Sequence, residues 1–321
     1  MLETRFTRLV GCSVPIQLAP MGSVSSPALA VAVAEAGGVG TIPTLGVPIA
    51  QLEKMLSDMK SRTVGVLAAN FLTNNIDRDA VETAAAHVRV VDFFWADPDP
   101  TLVNLAHETG ALACWQVGSV IEARAAADAG CDVVVVQGME AGGHIRGHSA
   151  LLPLLSAALE AIDVPVLAAG GIGDGRALAA VLAAGADGAR IGTRFIATAE
   201  SGAHADYKHA VLDAQTGTTE ITDVFAVCPL CATSPRARVL RTCITALAAF
   251  DGDTVGEASV AGQAVPLPKG SGLTPGESVT GCVSAMAMYA SDAVAASAVI
   301  EPAAQVIEHL CSKAEHQLSR R

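Results

Sequence analysis

Eight short apolar runs recur between Ile16 and Gly192, separated by Ala-rich segments with helical spacing. The runs are Ile16–Ala19, Val39–Ile42, Val64–Phe71, Val91–Trp95, Ala111–Val117, Asp132–Gln137, Pro165–Gly170 and Gly188–Gly192. Pro27–Ala36, Ser119–Ala129 and Ala177–Ala184 are the clearest helical segments between them. Alternating strands and helices predict a parallel sheet. Eight units of roughly 25 residues each predict a closed (β/α)8 TIM barrel, an α/β fold, rather than an open sheet. A dinucleotide-binding open sheet would carry its glycine fingerprint after a strand, whereas Gly37-Gly38 precede one.

The rhythm breaks after Thr193. Lys208–Gln215 reads as a helix, Thr216–Phe225 as a Thr-rich segment and Val239–Phe250 as a second helix. These predict a small inserted α+β lobe on the substrate side over residues 205–269, with the barrel made of 1–204 and 270–321. The Gly- and Pro-rich Gly270–Gly281 returns the chain to an Ala-rich stretch, 283–310, expected as helix packed outside the barrel.

Composition narrows the function classes. A chain of 321 residues, 51% hydrophobic and 16% charged, suits one barrel plus an excursion. A net charge of -12 argues against a nucleic-acid partner, which needs basic patches. It leaves room for one local anion site built from backbone amides. No apolar stretch of about 18 residues runs without breaks, so no membrane span is expected. Met1–Arg8 lacks an apolar signal core, so cytoplasmic residence is expected. Eight cysteines are too few for a disulfide scaffold, and Cys114, Cys131 and Cys243 read as small buried hydrophobes. Cys228 and Cys231 form a lone C-x-x-C, weak as a zinc site, which reads as a structural pair or two free thiols.

Three loops carry chemistry. Gly170-Gly171-Ile172-Gly173-Asp174-Gly175 follows the seventh strand and opens a helix, where bare amides and a helix N-terminus favour a phosphate. Arg190-Ile191-Gly192-Thr193 closes the eighth strand, and loops after strands seven and eight are where this fold binds phosphate. The bland reading of both is a tight turn. The third loop, Gln137-Gly138-Met139-Glu140-Ala141-Gly142-Gly143-His144, follows strand six. It sets His144 at the barrel mouth as a candidate general base, with His148 as its competitor. Ala19-Pro20-Met21-Gly22, Asn70, Gln116 and Ser119 are expected on the same face. The amides of Asn70 and Gln137 both donate and accept, as a flavin ring edge requires.

Together, Ala19-Pro20-Met21, Asn70, Gln116-Val117-Gly118-Ser119, the Gln137–His144 loop, Gly170-Gly171-Ile172 and Gly192-Thr193-Arg194-Phe195 resemble the nitronate monooxygenase family, over about residues 5 to 245. The resemblance extends to Tyr207-Lys208 and Arg236–Arg241 in the insert. It implies a barrel with an inserted lobe that binds FMN without a metal. It implies that Met21 and Asn70 contact the flavin ring and Gln137 its polar edge. Ala141 and Gly142 would line the loop beside it, Gly171 and Gly192-Thr193 would bind the phosphate, and His144 would be the base. Ala19 and Gly170 would also contact the cofactor. One departure from the family pattern is Tyr289-Ala290 followed by Ser291-Asp292.

The implied reaction oxidises an alkyl nitronate with O2 to a carbonyl compound and nitrite. His144 would make the nitronate from a neutral nitroalkane and, as imidazolium, stabilise the anion. The alternatives are an FMN-dependent enoyl-thioester reductase using NADH or NADPH, and a flavin-binding barrel without turnover. A phosphosugar enzyme would need paired carboxylates at the strand ends, which are not found. Glu140 reads as a solvated loop charge or a neighbour of the base. Lys208 and Arg236 read as lobe surface or a subunit contact, a homodimer being the expected oligomer.

Overall fold

The computed structural model describes residues 2–72, 76–228, 235–260 and 263–320. Its centre is a closed parallel barrel of β1 (Ile16–Leu18), β2 (Val39–Pro43), β3 (Val66–Leu72), β4 (Val90–Phe94), β5 (Leu112–Val117), β6 (Val133–Gln137), β8 (Val166–Ala169) and β9 (Gly188–Ile191), with β9 closing on β1. These eight strands are those expected from the apolar runs. A two-residue strand, β7 (Gly143–His144), leaves the barrel between β6 and β8.

Side chains alternate along each strand, so one residue in two points inward. Val39, Val90, Leu112 and Leu167 are buried low in the interior, in one cluster with Phe6 and Val10 of the helix Arg5–Val10 that plugs the N-terminal end. The next inward positions towards the C-terminal ends are polar: Gln17, Thr41, Asn70, Asp92, Gln116, Gln137 and Arg190, all buried. A larger cluster joins the outward faces to the surrounding helices, and Leu29, Leu52, Leu56, Val81 and Val103 in it are fully buried. The register aligns Asn70 with Asp92 and Asp92 with Cys114, so the polar layer follows from strand pairing.

Two small sheets cover the mouth. One runs β10 (Thr219–Thr222), β11 (Ala237–Leu240), β7; the other runs β13 (Gln263–Pro268), β12 (Thr254–Val260), β14 (Thr280–Gly281). The second helix of this region spans Arg241–Ala249, not Val239–Phe250, because Val239 and Leu240 complete β11. Residues 283–302 are not the expected outer helix. Val283, Ala285, Met286, Ala287, Met288 and Ala290 are instead buried in a second core above the barrel, with Tyr207, Phe225 and Cys243. The run of apolar residues from Ala285 to Ala290 carries no polar face, so its pattern does not separate a buried helix from buried irregular chain. Only Ala303–Leu318 forms the final helix, against the helix Gly175–Ala183. Among the described residues no helix is long and apolar enough to cross a membrane.

Candidate active site

The C-terminal ends of the strands open into one cavity of about 420 Å³. Its lining includes every residue singled out for cofactor or base: Ala19, Met21, Asn70, Gln137, Ala141, Gly142, His144, Gly170, Gly171, Gly192 and Thr193. Chain segments far apart in sequence converge there because all of them sit at the same end of parallel strands.

The β8 loop divides in two. Gly170 and Gly171 line the cavity with φ of 114° and 68°, a left-handed backbone that glycine adopts freely. Gly173 and Gly175 pack elsewhere: a Cβ on Gly173 would come within 2.8 Å of Ala296, and one on Gly175 within 2.5 Å of the Leu310 carbonyl. The helix start was expected to join the anion site. Asp174 takes that place, its carboxylate accepting from the Arg176 and Ala177 amides at 3.0 and 2.9 Å. The bare amides therefore lie in the loop itself. Among the described residues, the N–H groups of Gly171, Gly192 and Thr193 have no protein acceptor. The Thr193 hydroxyl accepts from Ser291 N–H at 2.9 Å, which brings the 289–292 segment to the cavity rim.

The His144 loop is tied at both ends. Gln137 donates to the His144 carbonyl at 3.0 Å and accepts from Arg146 N–H at 3.0 Å. One N–H and one lone pair of its amide are thus committed to the loop, and one of each is left for a ligand. β7 pairs antiparallel with β11, Ala237 opposite His144, so the cover pins the base. The close approach requires a small residue: a Cβ on Gly142 would come within 2.7 Å of the Ala290–Ser291 backbone. Arg146 finishes the latch on Glu122, Asp97 and the Trp95 carbonyl.

The imidazole sits between aromatic rings, edge-on to Trp95 at 5.4 Å and tilted against Tyr289 at 5.5 Å, with Cys228 Sγ 3.8 Å from Nε2. Burial pushes its pKa down from 6.5 to about 4, so the resting group is neutral. The imidazolium expected to stabilise the anion is therefore not the resting form and would arise only on proton uptake from the substrate. His148 lies outside the cavity lining and pairs with Arg236.

Several other expectations change. Ser119 caps the helix Val120–Asp128 rather than lining the cavity. Glu140 is half-buried rather than a free loop charge; its carboxylate accepts from Leu151 N–H at 3.0 Å and caps the helix Leu151–Ala161. Lys208 is buried rather than on the surface, and burial lowers its pKa against the pull of Glu277 and Glu200. Cys228 is disulfide-bonded, while Cys231 lies outside the described residues. Among the described residues no cluster of acidic, His or Cys side chains could hold a metal.

Trp95 also lines the cavity and was missed, as do Arg190, expected only as part of the phosphate loop, and Tyr289, expected only as a departure from the family pattern. Trp95 is the sole non-glycine with positive φ, at 90°, among the described residues. Strain of this kind costs of order 1–3 kcal/mol and tends to sit at functional sites. Trp95→Gly should relax the backbone and unwrap the imidazole. Its pKa, followed by NMR titration, is expected to rise from about 4 by at least one unit; an unmoved titration would contradict this account of the shift.

The family model described as nitronate monooxygenase matches residues 67–313. The chain is 37% identical over 213 residues to a Rhodococcus jostii protein named (3aS,4S,5R,7aS)-5-hydroxy-7a-methyl-1-oxo-octahydro-1H-indene-4-carboxyl-CoA dehydrogenase, covering 66% of this chain but only 60% of that protein's length. It is 32% identical over 272 residues to a nitronate monooxygenase of Pseudomonas aeruginosa, covering 69% of this chain and 77% of the other. Among solved structures, FabK from Thermotoga maritima superposes with a TM-score of 0.82 at 28% identity, covering 100% and 98%. A nitroalkane oxidase from Streptomyces ansochromogenes superposes at 0.77 with 26% identity, covering 98% and 99%.

Proposed function

Because this chain belongs to the nitronate monooxygenase family, we propose that it is an FMN-dependent oxidase of alkyl nitronates. Two nitronates consume one O2: each carbon–nitrogen double bond is replaced by a carbonyl that takes one of the two O2 oxygens, and each nitrogen leaves with both its own oxygens as nitrite. The carrying observation is one cavity that holds bare amides at the β8 and β9 ends and a desolvated imidazole on the facing loop.

The residues present suit FMN. The amides of Gly171, Gly192 and Thr193 offer donors to a phosphate, and a side chain at Gly171 would be crowded, its Cβ lying 3.1 Å from that of Glu140. Asn70, Gln137 and the buried Arg190 offer polar groups to a ring edge, while Ala19, Met21, Ala141 and Gly142 supply close, mostly apolar walls. When bound, FMN supplies the electron-accepting chemistry. The chain's own task is to orient the nitronate, exclude water and manage one proton. His144 takes the α-proton when a neutral nitroalkane enters. A base of pKa about 4 is weak at neutral pH, so the preformed anion is the better substrate.

The pH dependence follows from the sign of the shift. The folded imidazole stays neutral until pH falls through about 4, so kcat/KM for a neutral nitroalkane should hold level through pH 6.5 and fall near 4. The unfolded chain takes up this proton near 6.5, so the group's contribution to stability is complete above 6.5 and is lost as pH falls towards 4. A pH–rate profile breaking at 6.5 would contradict the environment assigned to His144.

A second reading, an FMN-dependent reductase of an enoyl thioester, draws support from the superposition on FabK. The similarity to a CoA-ester dehydrogenase likewise favours a thioester as substrate. Nitrite release from propyl nitronate without added nicotinamide supports the nitronate reading. Rapid flavin reduction by NADH or NADPH with no nitrite formed would transfer the assignment to the reductase.

A further inference from the structure

Barrels of this kind fill their interior with layers of branched apolar side chains. The lower interior conforms, but the layer beneath the cavity holds a charge pair. Arg190 and Asp92 bond directly, with side chains 1% and 0% exposed. The guanidinium also donates to Gln116 at 2.8 Å and to Gln17 at 3.1 Å, and Asn70 donates to the second Asp92 oxygen at 2.6 Å. Burying two ions costs several kcal/mol each, and apolar replacements of such pairs are often as stable or more so. Stability alone does not explain the pair.

Its placement aims it at the cavity. Arg190, Gln116 and Asn70 line the cavity, whereas Asp92 is not among its lining residues. The positive partner is thus the one presented. In addition, Arg190 Nε is buried with no hydrogen-bond partner among the described residues.

We propose that Arg190 and Asp92 set the redox preference of the bound flavin: Arg190 holds a positive charge against the ring and favours its reduced, negatively charged form, and Asp92 moderates that bias from behind. The proposal rests on the FMN reading. In a buried site of low effective dielectric, a charge a few ångströms away outweighs what it would contribute in water.

The two charges make opposite predictions. Arg190→Gln removes the cation, and the preference for reduced over oxidised flavin should fall about 100-fold, equivalent to ~59 mV for a two-electron couple. Asp92→Asn leaves the guanidinium uncompensated and should raise the midpoint potential. Since Arg190→Gln strands a buried carboxylate, the double variant Arg190→Gln/Asp92→Asn keeps the volume without net charge, and its potential should lie between Arg190→Gln and wild type. Redox titration of the flavin-loaded proteins, with sulfite affinity as a second readout, decides it. Flavin-loaded variants whose potentials stay put, or both shift in one direction, would overturn the proposal. A wild-type protein that takes up no FMN would instead remove the functional reading on which it stands.

Discussion

Replacing His144 with Ala is expected to cost 10²–10⁴ in kcat/KM for a neutral nitroalkane, and less than about tenfold for the preformed nitronate. The asymmetry arises because only the neutral substrate needs its α-proton removed. The imidazole lines the cavity, is held by β7 pairing with β11, and is uncharged at neutral pH. Its loss removes a proton acceptor without removing a charge that binds the anion. Steady-state nitrite release with matched nitroalkane and nitronate measures both. Equal losses on the two substrates would mean that His144 shapes the pocket rather than moving the proton.

The second large effect concerns the phosphate cradle. Gly171→Val places a β-branched residue at a φ of 68°, an outlier for any such side chain. The new Cβ would also crowd Glu140, whose Cβ lies 3.1 Å from its position. Glu140 caps the helix Leu151–Ala161 and cannot retreat without giving up Leu151 N–H. The loop must shift instead, taking its bare amide with it. FMN affinity is expected to weaken at least about 100-fold, the loss of some 2.7 kcal/mol. Fluorescence titration of the apoprotein measures it, and thermal melting of the same apoprotein separates local strain from unfolding. Unchanged affinity in a folded variant would remove Gly171 from the cofactor site.

Much of this site is legible in the residues because its parts sit in regular places. Strand–helix alternation predicts the barrel, and a parallel barrel carries all its strand ends to one face. Gly170-Gly171, Gly192-Thr193 and the Gln137–His144 loop therefore had to meet. Less legible is what depends on long-range pairing. β7 is two residues long, too short for any periodicity to reveal, yet it connects the base to the cover. Most of residues 283–290 are buried outside any α-helix or strand, so their composition resembles that of a buried helix. Trp95 reads as the end of an apolar strand, and nothing local signals its positive φ.

Asp92 is the instructive miss. A lone acid inside Val90-Val91-Asp92-Phe93-Phe94 signals a buried charge in need of a partner. That partner, Arg190, lies nearly a hundred residues away on β9 and was read only as part of a phosphate loop. Register across the closed barrel, not local pattern, brings them together.

Because the cavity is assigned to FMN, the visible spectrum and cofactor content of the purified protein, reconstituted if necessary, give the most direct test. The expected result is a flavin spectrum at one equivalent per chain, with FMN the flavin released on denaturation. A folded protein that stays colourless after incubation with excess FMN would contradict it.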